Sequence, residues 1–215
     1  MIENIILQFN FLKKIEKSHP NLPKTAANLG TAYELIGRHH DALKWIELGI
    51  QRDSTIHESS EWIHYNILKA KIVSADIHWL NHNPLMHTHF GNYYFPKPIN
   101  SKGTVLSNKE IQRLIDQAAI QIRERLQFVK GEDPLLAHLY YELSNLEYSL
   151  YEPNVVNRAM NSNYNVSQLI ESSKQLGLKT DATMQKRLVE LESSSVQYMW
   201  LRLKDGVLKL WGFIK

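Results

Sequence analysis

Proline is absent from two long stretches of the chain, residues 24–83 and 154–215, and three of the seven prolines fall between residues 84 and 98. Because proline inside a helix removes a hydrogen bond and clashes with the preceding turn, long proline-free stretches favour helices. The nine glycines and seven prolines make up about 7% of the 215 residues, against about 12% in average proteins. This distribution predicts an all-α chain interrupted by one long irregular insertion.

Composition and charge exclude several classes of site and segment. The chain has no cysteine, which excludes disulfides, thiolate metal sites and cysteine nucleophiles. Its 25 basic and 22 acidic residues leave a formal charge of +3, too small to indicate binding to nucleic acid. The chain contains no run of about 18 apolar residues, so the sequence predicts no membrane span. The N-terminal positive charges follow the apolar stretch, the reverse of a secretory signal, so we expect a cytoplasmic protein.

Residues 23–54 have the spacing of two antiparallel helices joined by a tight turn. Gly30 and Ala42 are small where the two helices must approach closely. Gly37 can adopt the left-handed conformation that ends the first helix. The apolar residues that fill the seam between the helices are Leu29, Tyr33, Leu43 and Ile46.

The same segment resembles a tetratricopeptide repeat (TPR), a pair of antiparallel helices of about 34 residues. Leu29-Gly30, Tyr33 three residues later, and Ala42 twelve residues after Gly30 match the family pattern. With the segments SEWIHYNILKAKI and RERLQFVKGEDPLLAHLYYELSNL, the repeat is similar to a group of bacterial TPR proteins of unassigned function. The resemblance implies an all-α, TPR-like right-handed array of antiparallel helix pairs. Three positions depart from the family pattern: Ala26, Gly49 and Ser54.

The repeat length of about 34 residues extends in both directions from this segment and predicts about nine helices in one domain, residues 1–215. Pro20 lies one repeat length before Ser54, and Asp133-Pro134 resembles a later repeat junction. The predicted parts are a capping or partial-repeat helix at 1–22, a clear TPR at 23–56, an expanded repeat at 57–133 with an insertion at 83–106, a degenerate TPR at 134–180, and C-terminal helices at 181–215.

Helix boundaries are predicted from side chains that can satisfy the free backbone groups at helix ends. The predicted helix starts are Thr55 with Glu58, Ser107 with Glu110, Asp133 with Pro134, and Asp181. The first of these predicts one continuous helix over residues 57–82. Gly177 is expected to end a helix near the C-terminus.

TPR arrays usually bind peptides or partner proteins in a concave groove lined by the first helix of each repeat. The resemblance therefore implies a non-catalytic interaction module or scaffold with a protein or peptide partner. Ala27 and Thr31 stand where TPRs that grip a C-terminal carboxylate have lysine or asparagine, which disfavours that ligand class. The predicted groove residues are Lys24, Asn28, Thr31, Glu34, Glu61, Tyr65, Asn66 and Lys69.

No motif of the chain indicates catalysis. No serine lies in the Gly-x-Ser-x-Gly context of a nucleophile elbow, and no glycine-rich run can cradle a phosphate. We therefore predict no catalytic residues, no cofactor and no metal site. The alternative is a metal-binding protein, because four neutral imidazoles can bind zinc, although structural zinc sites usually include thiolates. The candidate ligands are His78, His82, His87 and His89.

For two segments rich in aromatic residues, the sequence allows more than one role. The three aromatic side chains of residues 91–99, Tyr93, Tyr94 and Phe95, either bind a partner or fold back onto the protein. We favour folding back, because it removes a large apolar area from water. Residues 196–214 carry a stripe of apolar side chains at alternating spacings of four and three. This stripe could cap the array, pair with a second copy of the chain or lie on a membrane surface. Capping is the default, and a membrane-associated adaptor is the alternative function.

Overall fold

The computed structural model of the chain describes residues 2–90, 98–150 and 166–192, which are mostly helical. The predicted all-α character is confirmed at this level, with two short strands added. The chain divides into two compact units. The first consists of Met1–Met86 and Asp116–Lys130, and the second of His87–Ile115 and Gly131–Lys215.

The helices follow one another along the chain, with the two strands between α6 and α7. The first unit contains α1 (Ile2–Ser18), α2 (Pro23–Leu35), α3 (His39–Arg52), α4 (Ile56–Ser59), α5 (Glu61–Ile72) and α6 (Ile77–His82). Helix α7 (Asn108–Leu126) begins in the second unit and ends in the first. The second unit also contains β1 (Thr88–Phe90), β2 (Pro98–Asn100), α8 (Pro134–Ser149), α9 (Val166–Gln175) and α10 (residues 182–192).

Helices α2 and α3 pack closely in opposite directions. A Cβ atom on Gly30 would lie 2.5 Å from Cδ1 of Ile46, so only glycine fits there without a shift of the neighbouring side chain. A Cβ atom on Gly49 would lie 3.3 Å from the backbone nitrogen of Ala27. Gly30 of α2 thus meets Ile46 of α3, whereas Ala27, earlier in α2, meets Gly49, later in α3, as the predicted antiparallel hairpin requires. Gly37, with φ of +77°, ends α2 as predicted.

The core of the first unit joins α1, α2, α3 and α5. Phe9 of α1 meets Tyr33 of α2 edge to face, with ring centroids 4.7 Å apart. Arg52 at the end of α3 binds both carboxylate oxygens of Glu16 on α1, at 2.6 and 3.0 Å. The other buried apolar residues of this core are Ala27, Leu29, Ala32, Ala42, Ile46, Ile56 and Leu68.

The predicted continuous helix over 57–82 is wrong, because the backbone leaves the helical conformation at two places. Helix α5 ends at Ile72, and Asp76 then caps α6 by accepting a hydrogen bond from the Trp79 backbone N–H at 2.8 Å. The predicted Thr55 cap is also wrong, since the Thr55 side chain donates instead to Oδ1 of Asp53 at 2.7 Å. The residues with left-handed backbone before α5 are His57, Glu58 and Ser59.

The insertion at 83–106 contains regular structure that the sequence did not predict. Strands β1 and β2 pair antiparallel, with Thr88 opposite Asn100 and Phe90 opposite Pro98. The capping box at the start of α7 is confirmed. The Ser107 backbone N–H donates to Oε2 of Glu110 at 2.8 Å.

The second unit confirms three predicted helix ends. The Asp133 side chain caps α8, Gly177 ends α9 with φ of +84°, and Asp181 accepts a hydrogen bond from Met184 at the start of α10. Ser173 of α9 donates to the carbonyl oxygen of Ala137 in α8 at 2.8 Å. The core residues between these helices are Ile170, Leu188 and Leu191.

Several predictions fall outside the described residues. These are the aromatic residues of 91–97, the second helix of the degenerate repeat within 151–165, and the apolar stripe of 196–214. Among the helices that the structure does describe, none is both long enough and apolar enough to cross a membrane.

Candidate functional site: a buried carboxylate and histidine network

The eight predicted groove residues divide into an accessible group and a buried group. The accessible or half-buried residues are Lys24, Asn28, Thr31, Tyr65 and Lys69. The buried residues are Glu34, Glu61 and Asn66. The two predicted acidic groove residues therefore make their contacts inside the protein.

The accessible residues form one row on α2 and one pair on α5. Lys24, Asn28 and Thr31 are spaced four and three residues apart, which puts them on one face of α2. On α5, the Lys69 ammonium lies 5.8 Å from the centroid of the Tyr65 ring, within reach of a cation–π contact. The structure thus leaves two small polar surfaces in contact with solvent.

Glu34 on α2 is the centre of the buried group. Its Oε2 atom lies 2.6 Å from Nε2 of His64 on α5, and its Oε1 atom lies 2.7 Å from Nζ of Lys71. Arg125, near the end of α7, donates from Nη1 to the same Oε1 atom at 3.0 Å. One carboxylate therefore ties three helices of the first unit together.

The network continues from His64 toward the surface. Nδ1 of His64 lies 3.2 Å from Oε2 of Glu61, and Oε1 of Glu61 lies 2.9 Å from Nδ1 of His57. A neutral imidazole has only one N–H, so His64 donates to both carboxylates only as the imidazolium. We call the six residues the carboxylate–histidine network: Glu34, His57, Glu61, His64, Lys71 and Arg125.

Burial and charge act in opposite directions on the acids of this network. Burial favours the neutral form of Glu34, but Arg125, His64 and Lys71 outweigh it and hold the pKa of that carboxyl well below its usual range. Burial likewise opposes ionisation of Glu61, yet hydrogen bonds from His57 and His64 lower its pKa to about 2. Both acids are therefore carboxylates at neutral pH.

The histidines respond to the same charges with the opposite sign. Burial lowers the pKa of His64, but the Glu34 carboxylate and the hydrogen bonds to Glu34 and Glu61 raise it above the usual value. The hydrogen bond to Glu61 raises the pKa of His57, with a further contribution from the charge of Glu124. The network thus raises the pKa of both histidines and lowers the pKa of both carboxyls, which favours the charged form of each group.

The left-handed turn before α5 is held by side chains of α7. Nε2 of Gln117 donates to the carbonyl oxygen of Ser59 at 2.8 Å, and Nε2 of Gln121 donates to Oγ of Ser60 at 3.0 Å. Trp62 donates in turn to Oε1 of Gln117 at 3.1 Å. With the ion pair from Arg125, these bonds place α7 against the part of α2 and α5 that the sequence assigned to a groove.

Sequence reasoning missed four members of the network: His57, His64, Lys71 and Arg125. The spacing of His57, Glu61 and His64, four and then three residues apart, is a local signal that was available. No local signal connects Glu34 with Arg125, since 91 positions separate them. These contacts depend on the path of the chain between α5 and α7.

The four histidines of the alternative metal site lie two in each unit. The rings of His78 and His82 are tilted by 57° with centroids 4.6 Å apart, and Nδ1 of His82 lies 2.8 Å from the carbonyl oxygen of His78. Among the described residues, no group of three or more histidine or acidic side chains is placed to hold a metal ion. Comparison of the chain with models of protein families, with curated proteins and with solved structures finds no match.

Proposed function

We propose that this chain is a non-catalytic interaction module, a TPR-like right-handed array that binds a protein or peptide partner. The observation that carries the proposal is the packing of the first unit. Helix α1 contacts α2, α2 contacts α3, and α3 contacts α5, so that successive helices are neighbours. Contacts between successive helices are typical of helical repeat proteins, which use their side faces to bind partners.

The internal pairing of the carboxylate–histidine network supports a non-catalytic role. Both ring nitrogens of His64 and both oxygens of Glu34 have partners within the protein. A general base needs a lone pair that faces a substrate. The Glu34 oxygens accept hydrogen bonds from side chains of α5 and α7, and the His64 imidazolium, which donates from both nitrogens, has no free lone pair. The network thus serves to fix α7 against α2 and α5.

The proposed partner surface consists of the residues that remain accessible. They are Lys24, Asn28 and Thr31 on α2, and Tyr65 with Lys69 on α5. Asn66 is not part of this surface, because its side-chain amide donates to the carbonyl oxygen of Leu85 at 2.9 Å.

Affinity capture from the native host with quantitative mass spectrometry tests the proposal. We expect the wild type to capture partners that two double variants lose. One variant is Lys24→Glu with Asn28→Ala, and the other is Tyr65→Ala with Lys69→Glu. Glu47→Ala changes an exposed residue of α3 and serves as the matched control, which should retain them. Identical partner lists for all four proteins would show that the surface assignment is wrong. Titration calorimetry with the recovered partner then measures the loss directly.

A further inference from the structure

Helix α1 has a second apolar face that nothing in the described residues covers. Its first face packs on α2 through Phe9, which is 8% exposed. On other sides of the helix, Ile6, Leu7 and Phe11 are 46%, 67% and 63% exposed. Leu7 and Phe11 are one helical turn apart and therefore neighbours on the surface.

The exposed charges of the same helix are all positive over residues 5–18. Lys13, Lys14 and Lys17 are exposed, whereas the single acid of this stretch, Glu16, is turned inward. Its two carboxylate oxygens bind Arg52, and its side chain is only 16% exposed. Over residues 5–18, the solvent side of α1 thus combines bulky apolar side chains with lysines that follow them toward its C-terminal end.

We propose that this face of α1 binds the surface of an anionic lipid bilayer. Helices that lie in the bilayer interface combine leucine and phenylalanine with lysines whose ammonium groups reach the lipid phosphates. Leu7 and Phe11 would enter the boundary between headgroups and acyl chains, with Lys14 and Lys17 against the headgroups.

Charge favours an anionic bilayer over a second copy of the chain as the binding partner of this face. Two copies paired through α1 would bring two cationic faces together, and like charges oppose such a contact. An anionic bilayer supplies the opposite charge and accepts the apolar side chains. The proposal goes beyond the proposed partner binding, since it involves none of the residues assigned to the partner surface.

Flotation of the full-length chain with lipid vesicles tests the proposal. The vesicles contain either phosphatidylcholine alone or phosphatidylcholine with about 30% phosphatidylserine, at about 0.1 M and about 0.5 M salt. We expect binding to the anionic vesicles at low salt, and weaker binding at high salt or without phosphatidylserine. Leu7→Ser with Phe11→Ser should abolish flotation. Lys14→Gln with Lys17→Gln should lower the partition coefficient about 30-fold.

A matched control removes the same charge elsewhere. Lys102→Gln with Lys109→Gln changes two exposed lysines outside α1 and should float like the wild type. Circular dichroism melting of each variant confirms folding, which the exposed positions should leave intact. The partner-surface variants should also float normally, so the lipid proposal and the proposed function fail independently.

Four results would overturn the proposal. These are no flotation of the wild type, equal binding to neutral vesicles, flotation that survives Leu7→Ser with Phe11→Ser, and loss of flotation in the lysine control. Survival in the α1 variant would assign lipid binding to another segment, such as residues 196–214. A dimer that Leu7→Ser with Phe11→Ser dissociates, without vesicle binding, would assign the face to a second copy. Altered protein capture by that variant, again without vesicle binding, would assign it to an acidic protein partner.

Discussion

The space beside Gly30 is too small even for a methyl group, because Ile46 of α3 fills it. A Cβ atom there would approach both Cδ1 and Cγ1 of Ile46 within 2.6 Å, and the backbone nitrogen of Ile46 at 3.1 Å. The side chain of Ile46 is fully buried and has little room to move. Gly49, at the same helix contact, leaves more room.

Gly30→Ala is therefore expected to destabilise the protein. Overpacking of a core costs about 1–3 kcal/mol, and the better helix propensity of alanine returns about 1 kcal/mol. Gly49→Ala should have a smaller effect or none. Urea unfolding of both variants measures the difference, and equal stability of Gly30→Ala and wild type would contradict the close contact.

Glu34→Gln tests the central residue of the network. The substitution removes the negative charge that three buried or half-buried cations share, His64, Lys71 and Arg125. Removal of one partner from a buried ion pair costs about 3–5 kcal/mol, because the other charge stays buried without compensation. The matched control is Asp41→Asn, which breaks an exposed pair with Arg38 and should cost about 0–1 kcal/mol. Similar midpoints for the two variants in urea would rule out the proposed role of Glu34.

Among the elements, α1 depends on its link to α3. Arg52 binds Glu16 through two hydrogen bonds and also donates to the carbonyl oxygen of Leu22 at 3.1 Å. Charged hydrogen bonds of this kind contribute about 1.5–3 kcal/mol each, so their loss should favour local opening of α1. We expect Arg52→Ala to increase hydrogen exchange in α1 while α2 stays protected. Lys17→Ala, a change of an exposed residue on the same helix, should leave exchange unchanged, and unaltered protection in Arg52→Ala would refute the link.

The attachment of α5 to α2 and α7 should vary with pH. The raised pKa of His64 means that its stabilising contribution is complete below the unfolded pKa of about 6.5 and is lost as pH rises through the folded value. Glu61 has the opposite sign. Its contribution is present above its ordinary pKa of 4.5 and is lost as pH falls toward its folded pKa of about 2.

The free energy of unfolding is therefore expected to be greatest at about pH 5–6 and to fall on either side. The charged groups that face His64 are Glu34 from α2, Glu61 from α5 and Arg125 from α7. Urea unfolding at a series of pH values measures the profile. His57→Gln with His64→Gln should remove the decline on the alkaline side, whereas His40→Gln, a change of an exposed residue, should retain it. A wild-type profile without that decline would exclude the histidines as its source.

Across the whole molecule, local features were predictable from sequence and distant contacts were not. The ends of α2 and α9 follow from Gly37 and Gly177, because a left-handed residue stops a helix wherever the chain leads next. The break before α6 had a signal in Asp76, a good N-cap, which the apolar residues on both sides obscured. The left-handed turn at 57–59 had none, since it depends on glutamines of α7 more than 50 positions away.

The burial of Glu34 and Glu61 shows the same limit at the candidate site. Their positions on α2 and α5 were correctly assigned to helices, but the sequence does not show which helix lies opposite them. Arg125 reaches Glu34 only because α7 returns to the first unit after the insertion and the strands. Five of the eight predicted groove residues remain accessible, and these five carry the proposed partner surface.

The division of the chain into two compact units predicts separate responses to mutation. Glu34→Gln weakens contacts among α2, α5 and α7, all within the first unit. Ser173→Ala removes the hydrogen bond between α9 and α8, within the second unit. We expect Glu34→Gln to increase hydrogen exchange in α2, α5 and residues 116–126 while α8 and α9 stay protected, and Ser173→Ala to do the reverse.

Helix α7 makes this comparison informative, because it belongs to both units. In Glu34→Gln, protection should fall along residues 116–126 and persist over residues 108–115, so that the boundary appears within one helix. Exchange measured by mass spectrometry on overlapping α7 peptides resolves the two halves. Equal loss of protection in α2 and α8 for either variant would mean that the two units unfold together, since a shared transition exposes amides of both units at the same free energy.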